Sequence, residues 1–373
     1  MQEVEELLLS ARKQLELTRK DFRTQRRLFF VLTERCFPEL EAAPQIQLMR
    51  SKCISIETGL PIRELDEYNS LRQVNRNERG VEVWTATRDD VTVALKSFPF
   101  TKLKSLEREL KSLLRIKPHP SLIRYTAIVE DHDARRLYVE MPWFDEGSAV
   151  KWMGGRDTKS GRIDPTKRSP QAKRVLALQV LQALAQVHAA QVAHRDIKPD
   201  NILIANHGTS AVLADFEIAK LQPTTASMAT TTIVRGSLRY MAPELFGVDP
   251  SGALSIKALQ RADMYSVGAT LHELHYGISP KPTHLYTSAS MLPHNDAVGD
   301  SLRSMIAAML HSDPSMRPTA SGALKLKYFQ EPITTARREC AICMDEVFAE
   351  KGVLCFAEKH FYCDDCLKVY GRT

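Results

Sequence analysis

The sequence predicts an α+β domain of two lobes, preceded by a long amphipathic helix and followed by a small zinc-finger-like fragment. Three observations carry this. In the central region, alternating β-branched patterns come first and helical patterns follow, the order of a segregated α+β architecture. A heptad seam runs through the first 37 residues. Five of the seven cysteines lie in the last 34 residues, a cluster that fits metal ligands better than a disulfide framework. A chain of 373 residues has room for about two or three domains. Its 43% hydrophobic and 26% charged residues exclude collagen, wholesale disorder and a small disulfide scaffold.

In the first segment, Met1, Val4, Leu8, Ala11, Leu15, Thr18, Phe22, Gln25, Phe29, Leu32 and Cys36 recur in steps of three and four, with no Pro or Gly before Pro38. Thr18 and Gln25 are polar, so two readings stay open: a self-associating coiled coil and a helix packed on its own chain. Arg19, Lys20, Arg23, Arg26 and Arg27 read as a solvated helix face. Residues 38–66 contain Pro38, Pro44, Gly59 and Pro61 with no long periodic run and read as a linker with local structure. Residues 81–86 and 91–96 alternate and are joined by Arg88-Asp89-Asp90, a hairpin signal. A helix is expected over 103–116 and a strand over 137–141. Residues 153–169 form a polar, basic loop that reads as an exposed insertion. Residues 170–190, 255–278 and 297–311 read as helices.

The strongest chemical signal is His194-Arg195-Asp196-Ile197-Lys198-Pro199-Asp200-Asn201, followed by an apolar strand and then Ala214-Asp215-Phe216-Glu217. With these residues in this order, the chain resembles the eukaryotic protein kinase family, Ser/Thr type, over residues 67–335. The resemblance implies the two-lobed kinase fold and transfer of the ATP γ-phosphate to a protein hydroxyl. Such transfer needs positioning and charge neutralisation more than covalent chemistry. Asp196 would orient the hydroxyl and accept its proton. Lys198 would sit beside the γ-phosphate. Asn201 and Asp215 match the family's two magnesium-ligand positions, and both offer the hard oxygens that Mg2+ requires.

The ATP side has its own motifs. Val93-Ala94-Leu95-Lys96 resembles the strand-borne lysine motif, which makes Lys96 the contact to the α/β phosphates. Its carboxylate partner is expected at Glu109, with Glu107 as second choice. Met141 takes the gatekeeper position and 142–144 the hinge. There Pro142 offers only a carbonyl and Phe144 supplies the N–H. Glu244 in Ala242-Pro243-Glu244 is expected to pair with Arg317, and Asp263 to brace the catalytic loop from a buried helix. Ser237 takes the usual Thr position beside that loop. Thr224, Thr225, Ser227 and Thr230–Thr232 precede this region, and phosphorylation within 230–232 is expected to order it through Arg195.

Two departures stand out. Gly80 is the only glycine left in the glycine-rich loop that precedes Val83, and lost glycines predict weaker or altered nucleotide binding. Glu217 replaces the glycine after Asp-Phe, adding a carboxylate near the magnesium ligands. Neither removes a residue that performs the chemistry.

The C-terminal segment reads Cys340-x2-Cys343-x11-Cys355-x4-His360-x2-Cys363-x2-Cys366. Paired Cys-x2-Cys is zinc spacing. The order resembles the front half of a RING finger. That resemblance implies one Zn2+ site from Cys340, Cys343, Cys363 and Cys366. A second site would begin with Cys355 and His360 and lack its last two ligands.

The expected division is therefore 1–37 helix, 38–66 linker, 67–335 kinase domain and 336–373 partial RING-like zinc module. The expected enzyme is an ATP- and Mg2+-dependent Ser/Thr kinase acting on protein substrates. Its rivals are a pseudokinase scaffold and a ubiquitin-pathway adaptor that binds a ubiquitin-conjugating enzyme. Self-association through the first helix belongs to either class. A net charge of +6 is too weak to argue for nucleic acid. No apolar run approaches a membrane span and no signal peptide opens the chain, which points to an intracellular, cytoplasmic protein.

Overall fold

The computed structural model describes residues 54–366 except 56, 77–81, 100–102, 132, 135, 207, 217–218, 222–234, 247–253, 281–287, 294–297, 331–336, 345, 349–351, 355–360 and 364–365. The expected helix over 1–37, most of the linker, Gly80, Glu217, the Thr-rich stretch, Cys355 and His360 lie outside the described residues. The chain divides into two compact units.

The first unit runs to Arg115 and adds Ile123–Phe144 and Phe216–Ile218. Its sheet contains β1 (Ile62–Glu64), β2 (Asn69–Arg76), β3 (Glu82–Arg88), β4 (Val91–Pro99), β5 (Ala127–Asp131) and β6 (Arg136–Pro142), in the order β1-β5-β6-β4-β3-β2. β1 pairs parallel with β5, and the other neighbours are antiparallel. The expected β3–β4 hairpin is present. Arg88 pairs with Val91, and Asp89 and Asp90 turn the chain with φ of 50° and 62°. Two left-handed residues make the turn whose twist matches the flanking strands, and Asp tolerates that region better than most residues. β4 is buried from Val93 to Phe98, as its central place requires. Tyr68, Ala86, Val93, Leu95, Val129 and Tyr138 form an apolar cluster against this sheet.

Strand β1 lies inside the segment read as a linker. Three residues are too few to carry an alternation signal, so only the pairing of Ile62 with Ile128 reveals it. Helix α1 (Leu103–Arg115) buries Leu103, Leu106, Glu109 and Leu110 along one face. Those i, i+3, i+4 steps are the helical period read from the sequence.

The second unit holds Ile116–Leu122, Asp145–Asp215 and the residues from Ala219 on. Its helices are α2 (Ala149–Trp152), α3 (Pro170–Ala189), α4 (Ile256–Tyr276), α5 (Asp300–Met309), α6 (Ala320–Ala323) and α7 (Lys327–Gln330), among several 3-10 turns. Side-chain caps fix the starts of the two longest helices. Ser169 accepts from the Ala172 N–H with Pro170 in the first turn, and Ser255 accepts from the Ala258 N–H. Gly277 ends α4 at φ 78°, and a Cβ there would lie 2.6 Å from the Ile163 carbonyl oxygen. The expected 297–311 helix begins at Asp300. α4 is buried almost continuously from Ala262 to His275, which marks it as the central helix of this unit. Strand β7 (Val192–Ala193) leads into the His194–Asn201 loop, and the hairpin of β8 (Ile202–Ala205) and β9 (Ser210–Leu213) leads out of it. β10 (Lys220–Leu221) pairs back on β7. The C-terminal segment makes two small antiparallel pairs, β11 (Arg337–Glu339) with β12 (Glu346–Phe348) and β13 (Gly352–Leu354) with β14 (Phe361–Cys363). Among the described residues no helix is long and apolar enough to cross a membrane.

Candidate active site

In the first unit, the Lys96 ammonium lies 2.9 and 3.1 Å from the two Glu109 carboxylate oxygens. Both residues are buried, Lys96 at 7% and Glu109 at 0% exposure. A buried carboxylate stays charged only when paired and hydrogen-bonded. Glu109 meets this condition: it also accepts from the Tyr125 hydroxyl and from the Phe216 N–H. Glu107 turns instead to Lys111, one turn along the same helix. The geometry therefore selects Glu109 over its neighbour.

The sheet register puts Val83 opposite Lys96, Lys96 opposite Val139, and Ala94 opposite Met141. Directly paired residues share a face, and so do residues two apart on one strand. Val83, Ala94, Lys96 and Met141 thus line one face of the sheet. Met141 is buried, Pro142 is exposed and ends β6, and Phe144 is half-buried.

In the second unit, the loop from His194 to Asn201 hangs from one buried carboxylate. Asp263 on α4 accepts from the His194 N–H at 2.8 Å and the Arg195 N–H at 2.7 Å. His188 adds a third contact at 2.9 Å. Arg195 is held at φ 71°, a conformation a non-glycine residue adopts only when its surroundings impose it. Burial holds the His194 imidazole well below its ordinary range, so the ring is neutral. Its Nε2–H donates to the Ala214 carbonyl at 3.1 Å, and its Nδ1 accepts from the Asp196 N–H.

The side chains of this loop converge on Asp196. The Lys198 ammonium lies 2.8 Å from Asp196 Oδ2, and the Asn201 amide nitrogen lies 3.0 Å from the same oxygen and 2.7 Å from the Asp196 carbonyl. Since its nitrogen is committed, Asn201 presents its amide oxygen as the other polar atom. The Ala214 N–H donates to the Asn201 carbonyl at 2.9 Å, which fixes the residue before Asp215 against the loop. Asp215 itself is half-buried at φ 68°. An amide oxygen and a carboxylate are hard donors of the kind Mg2+ takes.

The expected closing pair is present. Arg317 donates to both oxygens of Glu244 at 2.6 and 2.8 Å and to the His311 carbonyl at 2.8 Å. Of Ser237 only the backbone is described, in the turn Arg235–Tyr240. The sequence pattern missed Tyr125 and His188. It also missed Arg156, which reaches Asp200, Tyr240 and Glu273 from the loop read as an insertion.

In the C-terminal segment, Cys340, Cys343 and Cys366 bring their sulfurs within 4.8 Å of one another. Of Cys363 only the backbone, in β14, is described.

A family model described as the protein kinase domain matches residues 80–329. Among curated proteins, mitogen-activated protein kinase kinase kinase 2 of Arabidopsis thaliana is 28% identical over 60% of this chain and 33% of its own. A putative mitogen-activated protein kinase kinase kinase 7-like of Drosophila melanogaster is 32% identical over 52% of this chain and 45% of its own. The serine/threonine-protein kinase Nek8 of Danio rerio is 27% identical over 68% of this chain and 35% of its own. The chain thus spans between about a third and under half of the length of these relatives.

Proposed function

The chain belongs to the protein kinase family, and from that premise we propose that it is an active Ser/Thr kinase that moves the ATP γ-phosphate to a protein hydroxyl. The observation that carries this reading is the Asp196 carboxylate, held by Lys198 and Asn201 on a loop braced by Asp263. Asp196 orients the substrate hydroxyl and accepts its proton as the new P–O bond forms and the bond from the γ-phosphorus to the β–γ bridging oxygen breaks, with ADP leaving. Lys198 counters the charge on the transferring phosphoryl oxygens. Lys96, fixed by Glu109, binds the α/β phosphates. Asn201 and Asp215 would hold Mg2+, which would supply charge neutralisation on the phosphate oxygens. The neutral His194 fixes the Asp196 backbone and takes no proton itself. The kinase domain is assigned to 67–335, with strand β1 (Ile62–Glu64) joined to its sheet.

The test is phosphate transfer from Mg·ATP to the chain itself and to a generic basic protein, with Asp196→Asn in parallel. We expect transfer that falls by at least about a hundredfold in the variant. Equal transfer by both proteins, or none by either with Mn2+ also tried, refutes the reading and leaves the scaffold.

The three converging thiols favour a second function for the C-terminal segment, a structural Zn2+ site of Cys340, Cys343 and Cys366 completed by Cys363. Chain expressed with added zinc is expected to carry one Zn2+ by elemental analysis and to lose it on Cys340→Ser. No bound zinc removes this reading and, with it, the ubiquitin-pathway adaptor.

A further inference from the structure

Arg156 lies in the polar loop between α2 and α3, the segment read from the sequence as an exposed insertion. Its guanidinium instead uses all three nitrogens. Nη1 and Nη2 donate to the two Asp200 oxygens at 3.0 and 3.2 Å. Nη2 also donates to the Tyr240 hydroxyl at 2.8 Å. Nε and Nη2 donate to the two Glu273 oxygens at 3.2 and 3.3 Å. The Tyr240 hydroxyl in turn donates to Glu273. The Glu273 side chain is 2% exposed, so it needs a counter-charge inside the protein, and Arg156 is the cation that meets it.

These partners stand on three separate segments. Glu273 is on α4, ten residues after Asp263. Asp200 sits between Lys198 and Asn201, at the far end of the loop from His194. Tyr240 closes the turn that follows the Thr-rich stretch. Helix α4 therefore grips the loop twice. Asp263 takes the two N–H groups at its start. Glu273 takes its end, but only through Arg156, because two carboxylates repel and Asp200 cannot bond Glu273 directly. The bidentate fork suits this task, since a planar guanidinium fixes direction as well as distance.

We propose that Arg156 is a positioning residue for phosphoryl transfer. It ties the end of the catalytic loop to α4 and so sets where Asn201 and Asp196 stand. This rests on the kinase reading. The experiment compares wild type with Arg156→Gln, Arg156→Lys and Arg156→Ala in the full chain, by steady-state kinetics and by backbone hydrogen exchange.

Arg156→Gln is expected to lower kcat about tenfold or more, with KM for ATP moving less than about twofold. Arg156→Lys keeps the charge without the fork and should recover only part of the loss. Millimolar guanidinium should restore part of the Arg156→Ala rate. Exchange should quicken in 198–204 and 235–242 and stay unchanged in 170–189. Unchanged exchange at 198–204, or exchange that rises equally through α3, overturns the proposal. Absent transfer by wild type would remove the kinase reading alone, and the exchange comparison would still decide whether Arg156 holds the loop.

Discussion

At the scale of single residues, each unit holds buried charges that have more than one partner. Glu109 meets Lys96, Tyr125 and the Phe216 N–H, and Asp263 meets two backbone N–H groups and His188. Such groups stabilise little over apolar residues of the same shape, yet breaking one pair leaves its mate stranded. Glu109→Gln keeps the shape and strands the Lys96 ammonium. We expect it to lower stability by about 3 kcal/mol and to weaken ATP binding at least about tenfold. Denaturant melts and ATP titration by calorimetry check this, and a variant with wild-type values in both would contradict it.

At the scale of elements, helix ends and close approaches decide where backbone goes. α4 and α5 meet at Gly268, where an added Cβ would lie 2.8 Å from Met309 Cβ and 3.1 Å from Leu310 Cγ. Met309 Cβ is next to its backbone and cannot swing aside. Gly268→Ala gains helix propensity of about 1 kcal/mol but must separate two packed helices. We expect a net loss of about 1–3 kcal/mol, read as a lower urea midpoint with unchanged slope. A raised midpoint would mean the helices part more easily than this packing implies.

At the scale of the whole molecule, three buried histidines set an acid limit. Burial lowers His194, His272 and His275 below the ordinary 6.5, His275 to about 3. A folded-state pKa below the unfolded one means the unfolded chain binds more protons at acid pH. The contribution is therefore fully present above about 6.5 and is lost as pH falls from there, continuing toward 3 for His275. Each histidine adds a slope of up to about 1.4 kcal/mol per pH unit in its window. Unfolding midpoints should drop clearly between pH 7.5 and 5.5. Equal midpoints at both pH values would show that these rings take up protons without unfolding.

The local order of residues already determined much of this protein. His194 to Asn201, Lys96 on its strand and Asp215 after β9 are legible because their chemistry sits at fixed short spacings. The pairs Lys96–Glu109 and Glu244–Arg317 were legible through the family resemblance. The order of strands and then helices announced an α+β fold. Only the tertiary structure decided the rest. Three residues of β1 carry no period, so their membership of the sheet exists only through β5. Arg156 finds partners 44, 84 and 117 residues away, at separations that no periodicity encodes. The grouping of Cys340 and Cys343 with Cys366, by contrast, was expected from the RING-finger resemblance, and their sulfurs do lie within 4.8 Å of one another. A side chain's neighbours along the chain are set by the sequence, whereas the charge that a buried group must meet is set by whichever elements pack around it.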